Sequence, residues 1–179
     1  VTTVLSRTTD ENDPVTEEVK EANASGASIA VSFHANAGGG DGFEAFYWTS
    51  DSNGKKLAGL CEKYVKQIGQ NSRGLKSGNH LHFINSTNMT AVLCESFFVD
   101  NDTDNDIGDT VTEQRAFGVA YAKAILEYLG IAYKSATSST GTSSQLYRVQ
   151  VGAYKDRKNA EAMLAKVKAA GFADAFIKQ

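Results

Sequence analysis

Short apolar segments that alternate with segments of helical periodicity constrain the fold of this chain more than any other feature of its sequence. Residues 28–34 (SIAVSFH) and 91–95 (AVLCE) are apolar runs of the kind that form buried strands. Between them, residues 55–70 carry apolar side chains at helical spacing. Strands separated by helices pack in layers around a largely parallel sheet. The sequence therefore predicts an α/β fold, with a mixed, mainly parallel sheet flanked by helices.

Further strands are predicted from the runs at 2–6, 43–48 and 80–84, and further helices at 13–23 and 109–129. Asp13 and Pro14 are typical of a helix start, where an N-cap residue is followed by proline at the first helical position. Gly26 and Gly130 follow the two helices, as terminal glycines commonly do.

A polar segment divides the chain. Residues 132–145 (AYKSATSSTGTSSQ) contain almost no large apolar side chains, which predicts a flexible linker between a body, 1–131, and a C-terminal unit, 146–179. The C-terminal unit has seven basic and three acidic residues, a net charge of +4, so that the remainder carries −7 of the total of −3. This asymmetry indicates either an anionic partner for the C-terminal unit or a solvated charged helix face.

Composition argues against a membrane-spanning protein and against a disulfide-rich one. No stretch approaches the roughly 20 apolar residues that span a bilayer, and no basic region followed by an apolar run marks a secretory signal. Cys61 and Cys94 are too few for a disulfide framework or a thiolate zinc site, so we expect both to be buried apolar residues. The sequence leaves the oligomeric state open.

Two polar side chains end the most apolar predicted strands. His34 closes the strand at 28–34, and Glu95 closes the strand at 91–95. Ligands of open α/β sheets bind beyond the carboxyl ends of strands, where an imidazole can hold a metal. A carboxylate placed there has to be hydrogen-bonded, metal-bound or catalytic, because leaving it dry and unpaired is costly. We therefore expect His34 and Glu95 to converge on one reacting centre.

Three other patterns are less specific. His80 and His82 lie two residues apart in a predicted strand, where they would face one side as a metal pair or line a half-exposed face. The glycine-rich residues 38–42 do not match a phosphate-binding loop and are interpreted as a mobile rim. The alternating aspartates at 100–106 have the wrong glycine and glutamate spacing for a calcium loop.

Several segments in order resemble the zinc-dependent N-acetylmuramoyl-L-alanine amidases of the type 3 amidase family. The resemblance covers essentially all of residues 1–131 and is most specific where a strand ends in His-Ala-Asn and another in Glu-Ser-Phe. The matching segments are VLSRTTD (4–10), EAN (21–23), SIAVSFHANAGGGDGFEAFYW (28–48), TNMTAVLCESFFVDN (87–101) and RAFGVAYAKAILEYLGI (115–131).

The C-terminal unit resembles part of a second family. Residues 146–172 (LYRVQVGAYKDRKNAEAMLAKVKAAGF) look like the first strand and helix of a SPOR repeat, a unit that binds peptidoglycan. The resemblance implies a small β-α-β unit that contacts the cell wall, with Gln150 as a wall-binding residue.

The amidase resemblance implies a peptidoglycan hydrolase, either a phage endolysin or a bacterial autolysin, that acts at the cell wall after secretion or host lysis. Its substrate would be the amide between the lactyl group of muramic acid and L-alanine. His34 would be a zinc ligand, and Glu95 would be the catalytic glutamate that moves the proton from water to the departing amine. Peptidoglycan, rather than nucleic acid, is the expected partner.

The chain also departs from the family pattern. The family carries two further zinc ligands, a His and a Glu, ahead of the part that matches VLSR, so we expect that the natural beginning is missing or that the protein is an inactive remnant. Thr90 replaces the usual proline. A non-catalytic wall-binding protein with the amidase fold, and a metal site rebuilt from His34, His80 and His82, are the competing hypotheses.

Overall fold

The computed structural model describes residues 1–7, 14–134, 155, 157–169 and 177. The chain separates into two units, Val1–Ser135 and Ala136–Gln179, which are described one at a time. The first unit contains, in chain order, α1 (Val15–Ala24), β1 (Ile29–Asn36), β2 (Phe43–Tyr47), α2 (Ser52–Lys66), β3 (Ser72–Ser77), α3 (His82–Ser86), β4 (Thr90–Phe98), α4 (Asp102–Asn105) and α5 (Val111–Tyr128). The described helix of the second unit is α6 (Arg157–Ala169).

The four strands form one sheet in the order β1-β4-β2-β3. β1 pairs with β4 in parallel, and β2 pairs with β3 in parallel. β2 and β4 pair antiparallel and join these two halves. The prediction of a mixed, mainly parallel sheet flanked by helices is therefore confirmed.

Each face of the sheet packs against a different pair of helices. On one face, Ala45 and Cys94 join a core that α2 and α5 complete, with Leu57 and Ala124 fully buried. On the other face, Leu93 packs with residues of α1 and α3 in a smaller cluster. Side chains alternate between faces along a strand, so Glu44 and Glu95, which adjoin Ala45 and Cys94, lie on the face of the smaller cluster.

Local signals set the helix ends. Asp51 accepts a hydrogen bond from the Asn53 N–H at the start of α2, and Thr110 and Glu113 form a capping box at the start of α5. Gly26 and Gly130 have φ values of 67° and 69°, in the left-handed region that glycine adopts readily after a helix. α1, α2 and α5 thus fall within a few residues of their predicted positions.

Two predicted strands are wrong. His80 lies in a turn and His82 begins α3, because the Leu81 N–H bonds the Gly78 carbonyl and a helical turn follows. Residues 2–6 form no strand.

β3 and α4 were not predicted, because SRGLKS and DTDN are polar and carry no apolar period. Among the described residues, no helix is long and apolar enough to cross a membrane. Most of the predicted linker, 132–145, and the strands of the predicted β-α-β unit lie outside the described residues.

Candidate active site

His34, Glu95 and Glu44 form a row across three neighbouring strands. His34 of β1 is the register partner of Glu95 in β4, and Glu95 is the register partner of Glu44 in β2. Register partners have their side chains on the same face of a sheet, about 5 Å apart at Cβ. The structure thus places the two sequence-predicted site residues side by side, with Glu44 beside them.

His34 is exposed near the carboxyl end of β1. Its Nε2 lies 2.8 Å from the hydroxyl oxygen of Ser32, two residues earlier on the same face of the strand. Metal-binding histidines commonly donate one ring N–H to an oxygen while the other nitrogen binds the ion. When Nε2 carries the proton, the contact with Ser32 is of that kind and leaves Nδ1 for an ion, so the chemistry of His34 suits a metal ligand.

Glu95 is half-buried, and its Oε2 is fully buried and has no hydrogen-bond partner among the described residues. Burial raises the pKa of this carboxyl above its ordinary value; His34 opposes that shift and Glu44 adds to it. A buried polar atom without a partner is costly and calls for an explanation, often a catalytic one. A carboxyl with a raised pKa, in a site open to solvent, suits the transfer of protons.

Glu44 is the site residue that the sequence prediction missed. It is only 7% exposed, and its Oε1 accepts a 2.6 Å hydrogen bond from Nε of Arg73. Nζ of Lys76 lies 3.8 Å from the same oxygen. The signal that points to Glu44 is a lone carboxylate within the apolar strand FEAFY, the same kind of signal that identified Glu95.

The aspartates at 100–106 fix the rim of this site. Asp100 accepts hydrogen bonds from the N–H groups of Gly38 and Gly39 at 2.7 and 3.0 Å, and these bonds lower the pKa of its carboxyl. Asp104 accepts from the Gly42 N–H at 2.9 Å and the Phe98 N–H at 2.7 Å. These carboxylates therefore bind backbone, and hold the loop 38–42 against the end of β4.

The remaining histidines do not join the row. His80 lies edge-on to the Phe46 ring, with centroids 6.4 Å apart, and Nδ1 of His82 bonds the Ser86 hydroxyl at 3.0 Å. The described part of the chain holds no group of three His, Cys, Asp or Glu side chains arranged to bind a metal. The hypothesis of a site built from His34, His80 and His82 is therefore wrong. Gln150 lies outside the described residues.

Two family models match the chain. The family model described as N-acetylmuramoyl-L-alanine amidase matches residues 1–127, and the model described as SPOR domain matches residues 118–179. The chain belongs to the N-acetylmuramoyl-L-alanine amidase family, and it carries a SPOR-like C-terminal unit. Both predicted resemblances are confirmed, although the SPOR match begins within α5 rather than at residue 146.

Known relatives include bacterial and phage proteins. The chain is 31% identical to N-acetylmuramoyl-L-alanine amidase CwlM of Bacillus licheniformis, over 96% of this chain and 65% of the relative. It is 32% identical to an endolysin of Bacillus phage SPP1, over 75% of this chain and 52% of the relative. The chain thus spans about two thirds, or less, of the length of these curated relatives.

A solved structure shares the fold. The catalytic domain of CwlV, an N-acetylmuramoyl-L-alanine amidase from Bacillus (Paenibacillus) polymyxa, superposes with a TM-score of 0.66 and 32% identity. The match covers 72% of this chain and 73% of that domain.

Proposed function

We propose that this protein is a peptidoglycan hydrolase, of the endolysin or autolysin kind, that cleaves the amide between the lactyl group of N-acetylmuramic acid and L-alanine. The observation that carries the proposal is the pairing of Glu95, whose Oε2 is buried without a partner in the described part of the chain, with His34 on an open face of the sheet. Membership of the amidase family supports the choice of bond.

We propose zinc as the cofactor, with His34 as one of its ligands. The imidazole of His34, with Nε2 against the Ser32 hydroxyl, has the donor chemistry that zinc takes. Catalytic zinc sites use three protein ligands, and the described residues do not complete such a set. When bound, zinc supplies Lewis acidity that polarises the scissile carbonyl and lowers the pKa of water.

Glu95 moves the proton in this proposal. Its carboxylate takes a proton from the water that attacks the carbonyl carbon, and then delivers a proton to the alanine nitrogen as the C–N bond breaks. The products are a lactyl carboxylate and a peptide with a free α-amine. Burial of Glu95 favours the first transfer, because a raised pKa makes its carboxylate a stronger base toward the attacking water.

The proposal is tested by incubating purified sacculi with the protein and added zinc, and labelling the free amino groups that appear. We expect new N-terminal alanine without new reducing sugar ends. Binding to sacculi without any new alanine would instead favour the non-catalytic wall-binding protein.

We also propose that the C-terminal unit binds the cell wall and thereby directs the protein there, with Gln150 among its contacts. The SPOR-domain match supports this role, as does the basic last turn of α6, which carries Lys166 and Lys168 and suits an anionic polymer.

Removal of residues 136–179 is expected to weaken binding to purified sacculi about tenfold or more, because a second binding module acts at high effective concentration. Cosedimentation with sacculi measures this, and amine release from a soluble muramoyl peptide is the control for an intact body. Equal binding by the shortened and full chains would contradict a wall-binding role.

A further inference from the structure

Arg73 extends the row of site residues onto a fourth strand. Ser72 pairs with Phe43 and Gly74 pairs with Glu44, so Arg73 is an extra residue that bulges from β3. Bulges redirect side chains and are frequent beside active sites. Here the bulge directs Arg73 onto the face of Glu44, where Nε bonds the Glu44 carboxylate.

Two contacts hold the Arg73 guanidinium in place. Its Nε donates the 2.6 Å hydrogen bond to Glu44, and its Cζ lies 5.4 Å from the centroid of the Phe98 ring. Within the described part of the chain, its two terminal nitrogens make no hydrogen bond, and 44% of the side chain is exposed. The guanidinium is therefore held at Nε by Glu44, and its two terminal N–H₂ groups remain available to a ligand.

The local charge favours an anionic ligand. Arg73 and Lys76 both face the single carboxylate of Glu44, so two cations adjoin one anion on the β3 side of the row, away from Glu95. A guanidinium that is held in place can donate two parallel hydrogen bonds to one carboxylate. Lysine cannot form this bidentate pair, because its ammonium group is a point charge.

The spacing suits the peptide portion of a muramoyl peptide. Neighbouring strands lie about 4.8 Å apart, so the backbones at Arg73 and Glu95 are about 10 Å apart across β2. Two residues of extended peptide span about 7 Å, and the arginine side chain covers the remainder. We propose that Arg73 binds the α-carboxylate of the second stem residue, on the amine side of the cleaved amide. This contact makes Arg73 a specificity-determining residue of the proposed amidase, and the assignment rests on that function.

The test compares two ligands that differ in one group, N-acetylmuramoyl-L-alanyl-D-glutamate and N-acetylmuramoyl-L-alanyl-D-isoglutamine. The first carries the α-carboxylate and the second carries an amide in its place. Isothermal calorimetry with a chelator present measures binding without zinc-dependent turnover. The full chain is expected to bind the acid about tenfold more tightly than the amide, because a charge-assisted hydrogen-bond pair is lost in the amide.

Arg73→Gln is expected to abolish this preference, and Arg73→Lys to reduce it. Arg115→Gln is the matched control, because Arg115 is exposed on α5, which packs on the opposite face of the sheet, and we expect it to keep the tenfold preference. Arg73→Gln removes the short ion pair of the buried Glu44 and leaves Lys76 at 3.8 Å. Glu44→Gln combined with Arg73→Gln removes both charges of that pair and therefore controls for misfolding.

Equal affinity of the full chain for the two peptides, binding of neither, or a preference that survives in Arg73→Gln would each overturn the inference. Failure of the amidase proposal is seen separately, as sacculi that gain no N-terminal alanine.

Discussion

Replacement of Glu95 by glutamine is expected to lower the rate of amide cleavage about 100-fold to 10,000-fold, the range that a positioned general acid–base contributes. Glutamine keeps the size and shape of the side chain, but it can neither take the proton from water nor deliver it to the alanine nitrogen. The measurement is the initial rate of amine release from sacculi at equal concentrations of folded protein. Glu17→Gln, on the exposed surface of α1, is the matched control and should keep the full rate.

The stability of the same variant separates a catalytic role from a structural one. Burial raises the pKa of Glu95, so the folded state holds this proton more tightly than the unfolded state. The free energy of unfolding therefore falls as pH rises from the ordinary pKa through the raised one. At neutral pH, Glu95→Gln should unfold at the same or a higher temperature than the original protein. A variant that lost activity together with a lower Tm would contradict the catalytic assignment.

Replacement of Asp104 by alanine is expected to lower the free energy of unfolding by about 2–6 kcal/mol, because it leaves two buried N–H donors unpaired at about 1–3 kcal/mol each. Asp104 is 3% exposed, and its carboxylate accepts hydrogen bonds from the N–H groups of Gly42 and Phe98 and from Nε2 of Gln70. Alanine leaves the N–H groups of Gly42 and Phe98 unpaired, whereas Nε2 of Gln70 keeps its 3.0 Å hydrogen bond to the Ser96 carbonyl.

Urea unfolding followed by circular dichroism measures this effect as a lower midpoint with an unchanged slope. Asp102→Ala, at the exposed start of the same short helix, is the matched control and should shift stability by no more than about 0.5 kcal/mol. An unchanged midpoint for Asp104→Ala would show that the loop 38–42 is held by other means.

The fold was largely predictable because its central strands and long helices carry strong patterns. The run AVLCE is apolar because both faces of β4 are buried, and Ile29, Ala30 and Val31 of β1 pack partly buried against the same two clusters. In α2, the apolar stripe packs on the sheet. β3 was not predictable, since it is an edge strand in which no residue is fully buried and its sequence, SRGLKS, is polar. The segment with His80 and His82 has strand-like composition, but the turn at Gly78 directs it into a helix.

The site was predictable in part. The adjacency of His34 and Glu95 follows from two apolar runs that each lead into a polar residue, which the parallel register of β1 and β4 brings together. The prediction that Glu95 closes its strand is wrong, because β4 continues to Phe98. Glu44 and Arg73 could not be placed in this way, because their proximity depends on an antiparallel pairing and a one-residue bulge. Neither feature leaves a periodic signal in the sequence. The roles of His34, Glu95 and Gln150 stay predictions.

The central claim, that this site hydrolyses the amide between muramic acid and L-alanine, is tested most directly by digesting sacculi in water enriched in oxygen-18. Mass spectrometry of the products then locates the heavy oxygen. The account predicts one heavy oxygen in the lactyl carboxylate of muramic acid and a peptide with a free N-terminal alanine. Heavy oxygen at a sugar carbon, at another peptide carboxylate, or in no product would contradict it.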